Sequence, residues 1–217
     1  MEKLIESLKQ FEQKVKLVSD EAELQSIFKE LAPAFLYGGY IQVRNDYRVY
    51  IRTVEFYFHS EKDSGIHDPI VYHRDGKDLE KAPYFPLMSL HAHNSGFDIT
   101  FESKTGEYRA SALIRSYEVK DMGNKCFLKW DTEKCRFVTS DKYCYNTQST
   151  YLKAVLNGFA FGNDNDIIWK DDSRVQSTPL TEKTRQNVFQ YEYKGGFIKT
   201  EKRCNRKWSF TREDYVE

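Results

Sequence analysis

Residues 47–58 of the chain read YRVYIRTVEFYF, an almost continuous run of β-branched and aromatic residues. Such residues are enriched in strands because their side chains pack well on a pleated surface. The preceding residues 40–44, YIQVR, have the same character, and Asn45-Asp46 between the two runs is typical of a turn. The stretch therefore predicts two consecutive strands, the second of them long, and makes a β-sheet the centre of the fold.

Two amphipathic helices are predicted before these strands. Apolar residues recur at steps of three and four within residues 2–18 and again within 22–31, which is the spacing of one helical face. Asp20, followed three residues later by Glu23, resembles a capping box that begins the second helix. Pro33 is expected near the end of that helix or at a kink.

Strand patterns return in the second half of the chain. Strands are expected at 87–93, 97–101 and 107–119, an aromatic hairpin at 124–146, and a strand-rich tail at 186–212 with Gly195-Gly196 as a turn. A short helix is expected at 148–158 and a functional polar loop at 59–83. Together the patterns predict one α+β domain, in which a helical segment (1–36) precedes a β-rich core (37–217) built on a curved, mostly antiparallel sheet.

The composition narrows the class of protein. The 217 residues include 33 Lys or Arg and 33 Asp or Glu, so the formal net charge is zero. Fifteen Tyr and fifteen Phe supply enough apolar surface to exclude disorder. The N-terminus has acids where a signal peptide needs basic residues, and no apolar run reaches the length of a membrane span. We therefore expect a cytoplasmic protein, monomeric and without a membrane partner.

The four cysteines lack the paired C-x-x-C spacing of a zinc site and are too few for a disulfide scaffold. The pattern favours buried free thiols. The cysteines are Cys126, Cys135, Cys144 and Cys204.

The zero net charge conceals a basic tail. Between residues 182 and 212, nine Lys or Arg stand against three acids and alternate with Phe, Tyr and Trp. Basic side chains interleaved with aromatic rings are typical of surfaces that bind nucleic acid, although a solvated strand face gives the same pattern. The candidates for phosphate contacts are Lys199, Lys202, Arg203, Arg206 and Lys207.

All five histidines lie between His59 and His93, close to several acids. His91 and His93 are two residues apart, so on a strand they project from one face. With a carboxylate they would suit a transition metal. Alternatively, the histidines and aromatic residues line an acid/base or base-stacking pocket, or they belong to an exposed polar loop.

Glu55 and Arg115 are charged residues in otherwise apolar segments, VEFYF (54–58) and ALIRS (112–116). A carboxylate among aromatic residues has its charged form disfavoured, which makes Glu55 a candidate general base. An edge strand with a polar outer face is the alternative. A buried Arg115 needs an anionic partner, either Glu55 or a substrate phosphate.

Several segments resemble, in the same order, motifs of the alkyladenine (3-methyladenine) DNA glycosylase family. They are LAPAFL (31–36), VEFYF (54–58), LHAH (90–93), ALIRSYE (112–118), YLKAVL (151–156) and KWSF (207–210). His67 also falls close to where that family has an active-site histidine. The resemblance is colinear over about residues 31–212.

The resemblance implies a base-excision enzyme that flips a modified or damaged base, a purine in that family, out of DNA and hydrolyses its N-glycosidic bond. It implies no cofactor and no obligatory metal. Glu55 would be the general base for the attacking water, and Arg115 would help to place that water or a phosphate. Tyr57 and His67 would form one wall of the base pocket, and His93 the opposite wall.

The chain also departs from the family pattern. His91 and His93 stand where the family has tyrosines, and Asn94-Ser95-Gly96 offers no counterpart of its wedge tyrosine. Two alternatives therefore stay open beside a divergent glycosylase. One is an inactive nucleic-acid-binding or interaction protein on the same fold, and the other is a metal hydrolase that uses His91, His93 and a carboxylate.

Overall fold

The structure is a computed structural model that describes residues 2–71, 84–93, 96–103, 105–147, 152, 167–172 and 179–212. Helix α1 spans Glu2–Val15 and α2 spans Glu21–Leu36. The side chain of Asp20 accepts a hydrogen bond from the Glu23 N–H at 2.8 Å and so caps α2 as its sequence predicts. Pro33 lies in the last turn of α2, where its carbonyl accepts the Tyr37 N–H at 2.8 Å.

The strands of the described residues are β1 Gly39–Val43, β2 Tyr47–Ser60, β3 Leu90–His93, β4 Gly96–Thr100, β5 Tyr108–Asp121, β6 Cys126–Asp131, β7 Arg136–Ser140, β8 Ile167–Asp171, β9 Leu180–Lys183, β10 Phe189–Tyr193, β11 Phe197–Arg203 and β12 Ser209–Arg212. Ten of them form one antiparallel sheet whose main path runs β3-β4-β5-β2-β1-β8. Strand β12 pairs with β2 and β9, β6 pairs with β5 and β7, and β10 and β11 pair only with each other. The α+β fold with a curved, antiparallel sheet is therefore confirmed.

The helices cover one face of β2. Phe56 stacks on Phe28 with ring centroids 4.6 Å apart, and Phe58 packs edge-on against Phe11. Because side chains alternate along a strand, Glu55 and Tyr57 lie on the opposite face. The aromatic core thus packs against one face of β2, and on the other face Glu55 lies beside a second apolar cluster that contains Tyr57, Leu113 and Val188.

A β-bulge places Arg115 on that opposite face. The pairing of β2 with β5 passes from Thr53 opposite Ser116 to Val54 opposite Ile114, so Arg115 has no residue directly across from it. Bulges of this kind re-aim a side chain.

Some predicted elements differ from the structure. Strands β8 and β9 were not expected, and the aromatic hairpin is the shorter pair β6 and β7. The predicted helix at 148–158 falls, apart from Leu152, outside the described residues. None of the helices in the described part of the chain is long and apolar enough to cross a membrane.

The cysteines are free, but the prediction that they are buried was largely wrong. Cys204 is buried, Cys126 and Cys144 are partly exposed, and Cys135 is exposed. Cys135 lies in the turn between β6 and β7, where its side chain is exposed.

Candidate active site

The centre of the site is an ion pair between Glu55 and Arg115. Glu55 is completely buried. The Arg115 Nε donates to Glu55 Oε2 at 3.1 Å, and its Nη2 donates to Oε1 at 2.8 Å. Burial opposes the charge of the guanidinium, but its hydrogen bonds to Glu55 outweigh this and raise the pKa of Arg115. The bidentate geometry fixes the orientation of the carboxylate.

Two further donors complete the surroundings of Glu55. The Tyr57 hydroxyl donates to Oε1 at 2.5 Å, and the Gln186 N–H donates to Oε2 at 3.1 Å. Burial and the adjacent Glu55 carboxylate raise the pKa of Tyr57 well above its usual value, so this hydroxyl stays a donor. A carboxylate offers about four acceptor positions. Those of Glu55 are therefore filled by protein groups.

A second ion pair, in which both side chains are buried, lies against Tyr57. The guanidinium of Arg185 contacts two rings, 4.7 Å from the centroid of Tyr57 and 4.9 Å from that of Trp208. Its Nη1 and Nη2 donate to the Asp68 carboxylate at 2.5 and 3.0 Å. Although burial works in the other direction, Arg185 and Arg206 lower the pKa of Asp68. One face of Tyr57 thus carries an internal cation, and that face is not available to stack on a base.

A cavity of about 270 Å³ lies beside this pair, next to the hairpin of β10 and β11. Its lining includes His67, Asp68, Arg185, Tyr191, Cys204 and Arg206. Arg206 contacts Asp68 at 3.5 Å and donates to Glu21 at 2.5 Å, so each guanidinium in the wall has a carboxylate partner. Within the described residues, the lining does not include Glu55, which connects to it through Tyr57 and Arg185.

The histidines of the described chain form two ring clusters rather than one. His59 and His67 lie with ring centroids 5.3 Å apart, and both contact Phe197. Burial lowers the pKa of His59 to about 4, and its Nδ1 accepts the Asp68 N–H at 3.1 Å. His73 lies outside the described residues.

The second cluster contains His91 and His93, whose ring centroids are 5.8 Å apart. The His91 ring lies 4.3 Å from that of Phe85. His93 Nε2 is 3.2 Å from Asp98 Oδ2, and Asp98 is completely buried.

The sheet register places Asp98 and Glu55 on the same face. Four residues stand directly opposite one another on adjacent strands: His91, Asp98, Leu113 and Glu55. Strands lie about 4.8 Å apart, so the backbones of Asp98 and Glu55 are about 10 Å apart. Asp98 is one of the acids that lie close to the histidines in the sequence, and it was not predicted as a site residue. An acid within the apolar strand GFDIT is the same signal that identified Glu55.

The basic candidates occupy different environments. Lys199, Lys202 and Arg203 are exposed on β11, and Lys207 is exposed beyond it. Arg206 does not lie on this surface, because its side chain is only 15% exposed and belongs to the cavity wall. The exposed surface of residues 182–212 carries less positive charge than their sequence indicates. Three of the basic residues there form ion pairs with acids from other segments, namely Arg185, Arg206 and Arg212.

Within the described residues, no group of three or more His, Cys, Asp or Glu side chains is arranged to hold a metal ion. Comparisons of the chain with protein-family models, with curated proteins and with solved structures found no match.

Proposed function

We propose that this protein is an N-glycosylase-like hydrolase that releases a modified base from DNA with a water molecule activated at Glu55. One observation carries the proposal: a completely buried carboxylate, held in a bidentate grip by Arg115, on the sheet face opposite the helices. Glycosidic bonds break through a transition state with positive charge on the sugar. A fixed carboxylate stabilises that charge and takes a proton from the attacking water.

Each neighbour of Glu55 has a part in this chemistry. Arg115 fixes the plane of the Glu55 carboxylate. The Tyr57 hydroxyl donates to Oε1 and keeps its own proton, so it does not take the proton of the attacking water. Water needs one of the four acceptor positions. The Gln186 N–H is the donor that water would replace, because it comes from a turn, whereas Tyr57 and Arg115 lie on strands. The Gln186 carbonyl also accepts a hydrogen bond from Arg115 Nη2 at 3.2 Å, so this exchange requires the turn to move away from the ion pair. In the reaction, the turn opens and a water molecule replaces the Gln186 N–H at Oε2.

Nucleic acid is the substrate class that the surroundings support. Exposed lysines and Arg203 alternate with aromatic residues in the hairpin of β10 and β11, and this hairpin begins three residues after Gln186. The order of motifs resembling the alkyladenine DNA glycosylase family supports the same class.

A second candidate function is binding of nucleic acid without catalysis. The filled acceptor positions of Glu55 favour it, since a buried carboxylate with four protein donors also serves as a purely structural ion pair. In that case Glu55 orders the sheet and the Gln186 turn.

A substrate panel separates the two functions. Oligonucleotides that each carry one alkylated, deaminated or hypermodified base are incubated with excess protein, and abasic sites are scored by alkaline cleavage. The proposal predicts base release from at least one member of the panel. Saturable binding without any abasic site would instead support the second candidate.

A further inference from the structure

We propose that the hairpin of β10 and β11 is a stacking platform for unpaired nucleotides. The inference rests on the proposed function in taking nucleic acid as the substrate class, and it names the form of nucleic acid that the protein contacts. The hairpin is a two-stranded sheet of its own beside the cavity, and its residues Phe189, Gln190 and Tyr191 contribute to the cavity wall.

One face of the hairpin consists of aromatic and basic side chains. The cross-strand pairs on this face are Phe189 with Arg203, Tyr191 with Lys199, and Tyr193 with Phe197. Directly opposite residues share a face, so every ring on β10 stands across from a cation or from another ring. The pattern is that of side chains which contact bases and phosphates alternately.

Aromatic rings continue from the cavity to the tip of the hairpin. The His67 ring in the cavity wall lies 5.4 Å from Phe197, which lies 5.3 Å from Tyr193. Tyr193 is 72% exposed, so most of its ring surface is open to solvent. The rings therefore offer a stacking surface that leads from solvent towards the cavity.

The cations on this face are placed to contact phosphates. Lys199 Nζ lies 4.4 Å and the Arg203 guanidinium 4.3 Å from the centroid of Phe189, which holds both charges beside the rings. Residues 189–203 contain four Lys or Arg against two Glu, so the hairpin itself is basic. An anionic polymer with planar groups matches both features.

Unpaired nucleotides fit this surface better than a duplex. Within a duplex the faces of the bases are already stacked on one another, whereas an exposed ring such as Tyr193 stacks only on a base whose face is free. A base-free polyanion would use the lysines but not the rings.

The test is binding of the full chain to a fluorescent twelve-nucleotide oligo(dT), followed by anisotropy at several salt concentrations. Tyr193→Ala should raise Kd about tenfold, because one stacked base is lost. Ile198→Ala is the matched control, since Ile198 is 51% exposed on the other face of the hairpin, and it should change Kd by less than about twofold. Lys199→Ala should reduce the slope of log Kd against log salt by about one.

Several results would overturn the inference. The first is a Kd for Tyr193→Ala equal to that of the wild type, or an equal loss of affinity in Tyr193→Ala and Ile198→Ala. The others are tighter binding of a twelve-base-pair duplex than of oligo(dT), and the same loss of affinity in Tyr193→Ala when inorganic polyphosphate is the ligand. Both variants are at exposed positions, and circular dichroism verifies their fold. Binding that depends on Tyr193 without base release from any substrate would support the platform while contradicting the proposed glycosylase.

Discussion

Glu55 and Tyr57 lie two residues apart on β2, and the Tyr57 hydroxyl donates a 2.5 Å hydrogen bond to Glu55 Oε1. The ring of the same tyrosine contacts the guanidinium of Arg185. Tyr57 thus joins two ion pairs, that of Glu55 with the partly exposed Arg115 and the fully buried pair of Asp68 with Arg185. The proposed catalytic carboxylate and the cavity are connected through this one side chain.

Removing the Tyr57 hydroxyl should lower the stability of the folded protein by a moderate amount. In Tyr57→Phe the ring remains against Arg185, and Glu55 Oε1 keeps its bond from Arg115. We expect the free energy of unfolding to fall by about 1.5 to 3 kcal/mol, the loss of one buried hydrogen bond to a charged group. Urea denaturation measures this change. An unchanged midpoint would mean that the hydroxyl does not bond Glu55 in solution.

Breaking the Asp68–Arg185 pair should have a larger effect. Both side chains are buried, so Arg185→Met leaves the Asp68 carboxylate with the more distant guanidinium of Arg206 and a long hydrogen bond from the Phe58 N–H. We expect the free energy of unfolding to fall by about 3 to 5 kcal/mol. Asp68→Asn combined with Arg185→Met should lose clearly less than the sum of the two single variants. Strict additivity in this double-mutant cycle would contradict the pairing.

His59 and Glu102 should affect the pH dependence of stability in opposite directions. Burial lowers the pKa of His59 from 6.5 to about 4, so the stability gained by keeping it neutral is complete above pH 6.5 and is lost as the pH falls towards 4. Burial raises the pKa of Glu102 from 4.5 to about 7, so its contribution is complete below pH 4.5 and is lost as the pH rises through 7. Each contribution is at most about 3 kcal/mol.

Two variants separate these contributions. Relative to the wild type, the free energy of unfolding of Glu102→Gln should increase as the pH rises from 4.5 to 7, and that of His59→Asn should decrease as the pH rises from 4 to 6.5. Urea denaturation at half-unit pH intervals measures both differences. Parallel curves for the wild type and either variant would show that the variant's residue has an ordinary pKa in the folded protein.

The local elements of the fold could be predicted because their signals are local. Asp20 and Glu23 mark the start of α2, and residues 47–58 form a long strand at the centre of the sheet. Strand β9 reads LTEK and has no apolar alternation. It exists because it pairs with β12, which a sequence pattern does not reveal.

The candidate site could be predicted only in part, because some of its contacts join residues that are distant in the sequence. Glu55 and Arg115 are conspicuous because each interrupts an apolar strand. Asp68 and Arg185 lie in connecting segments where charged residues are ordinary, and they meet across 117 positions of sequence. The donor at Gln186 is a backbone group, so its side chain gives no indication of it.

The most direct measurement is single-turnover base release by Glu55→Gln beside a matched control, Glu118→Gln, on a substrate of the wild type. Glu118 is likewise a buried glutamate, paired with Arg212 at 2.8 Å, but it lies apart from the proposed chemistry. Both rates are normalised to the folded fraction measured by near-ultraviolet circular dichroism. Glu55→Gln should lose about 100-fold or more of the rate, as expected for a missing general base, while Glu118→Gln stays close to the wild type. Base release at the wild-type rate by Glu55→Gln, or an equal loss in both variants, would contradict a catalytic role for Glu55.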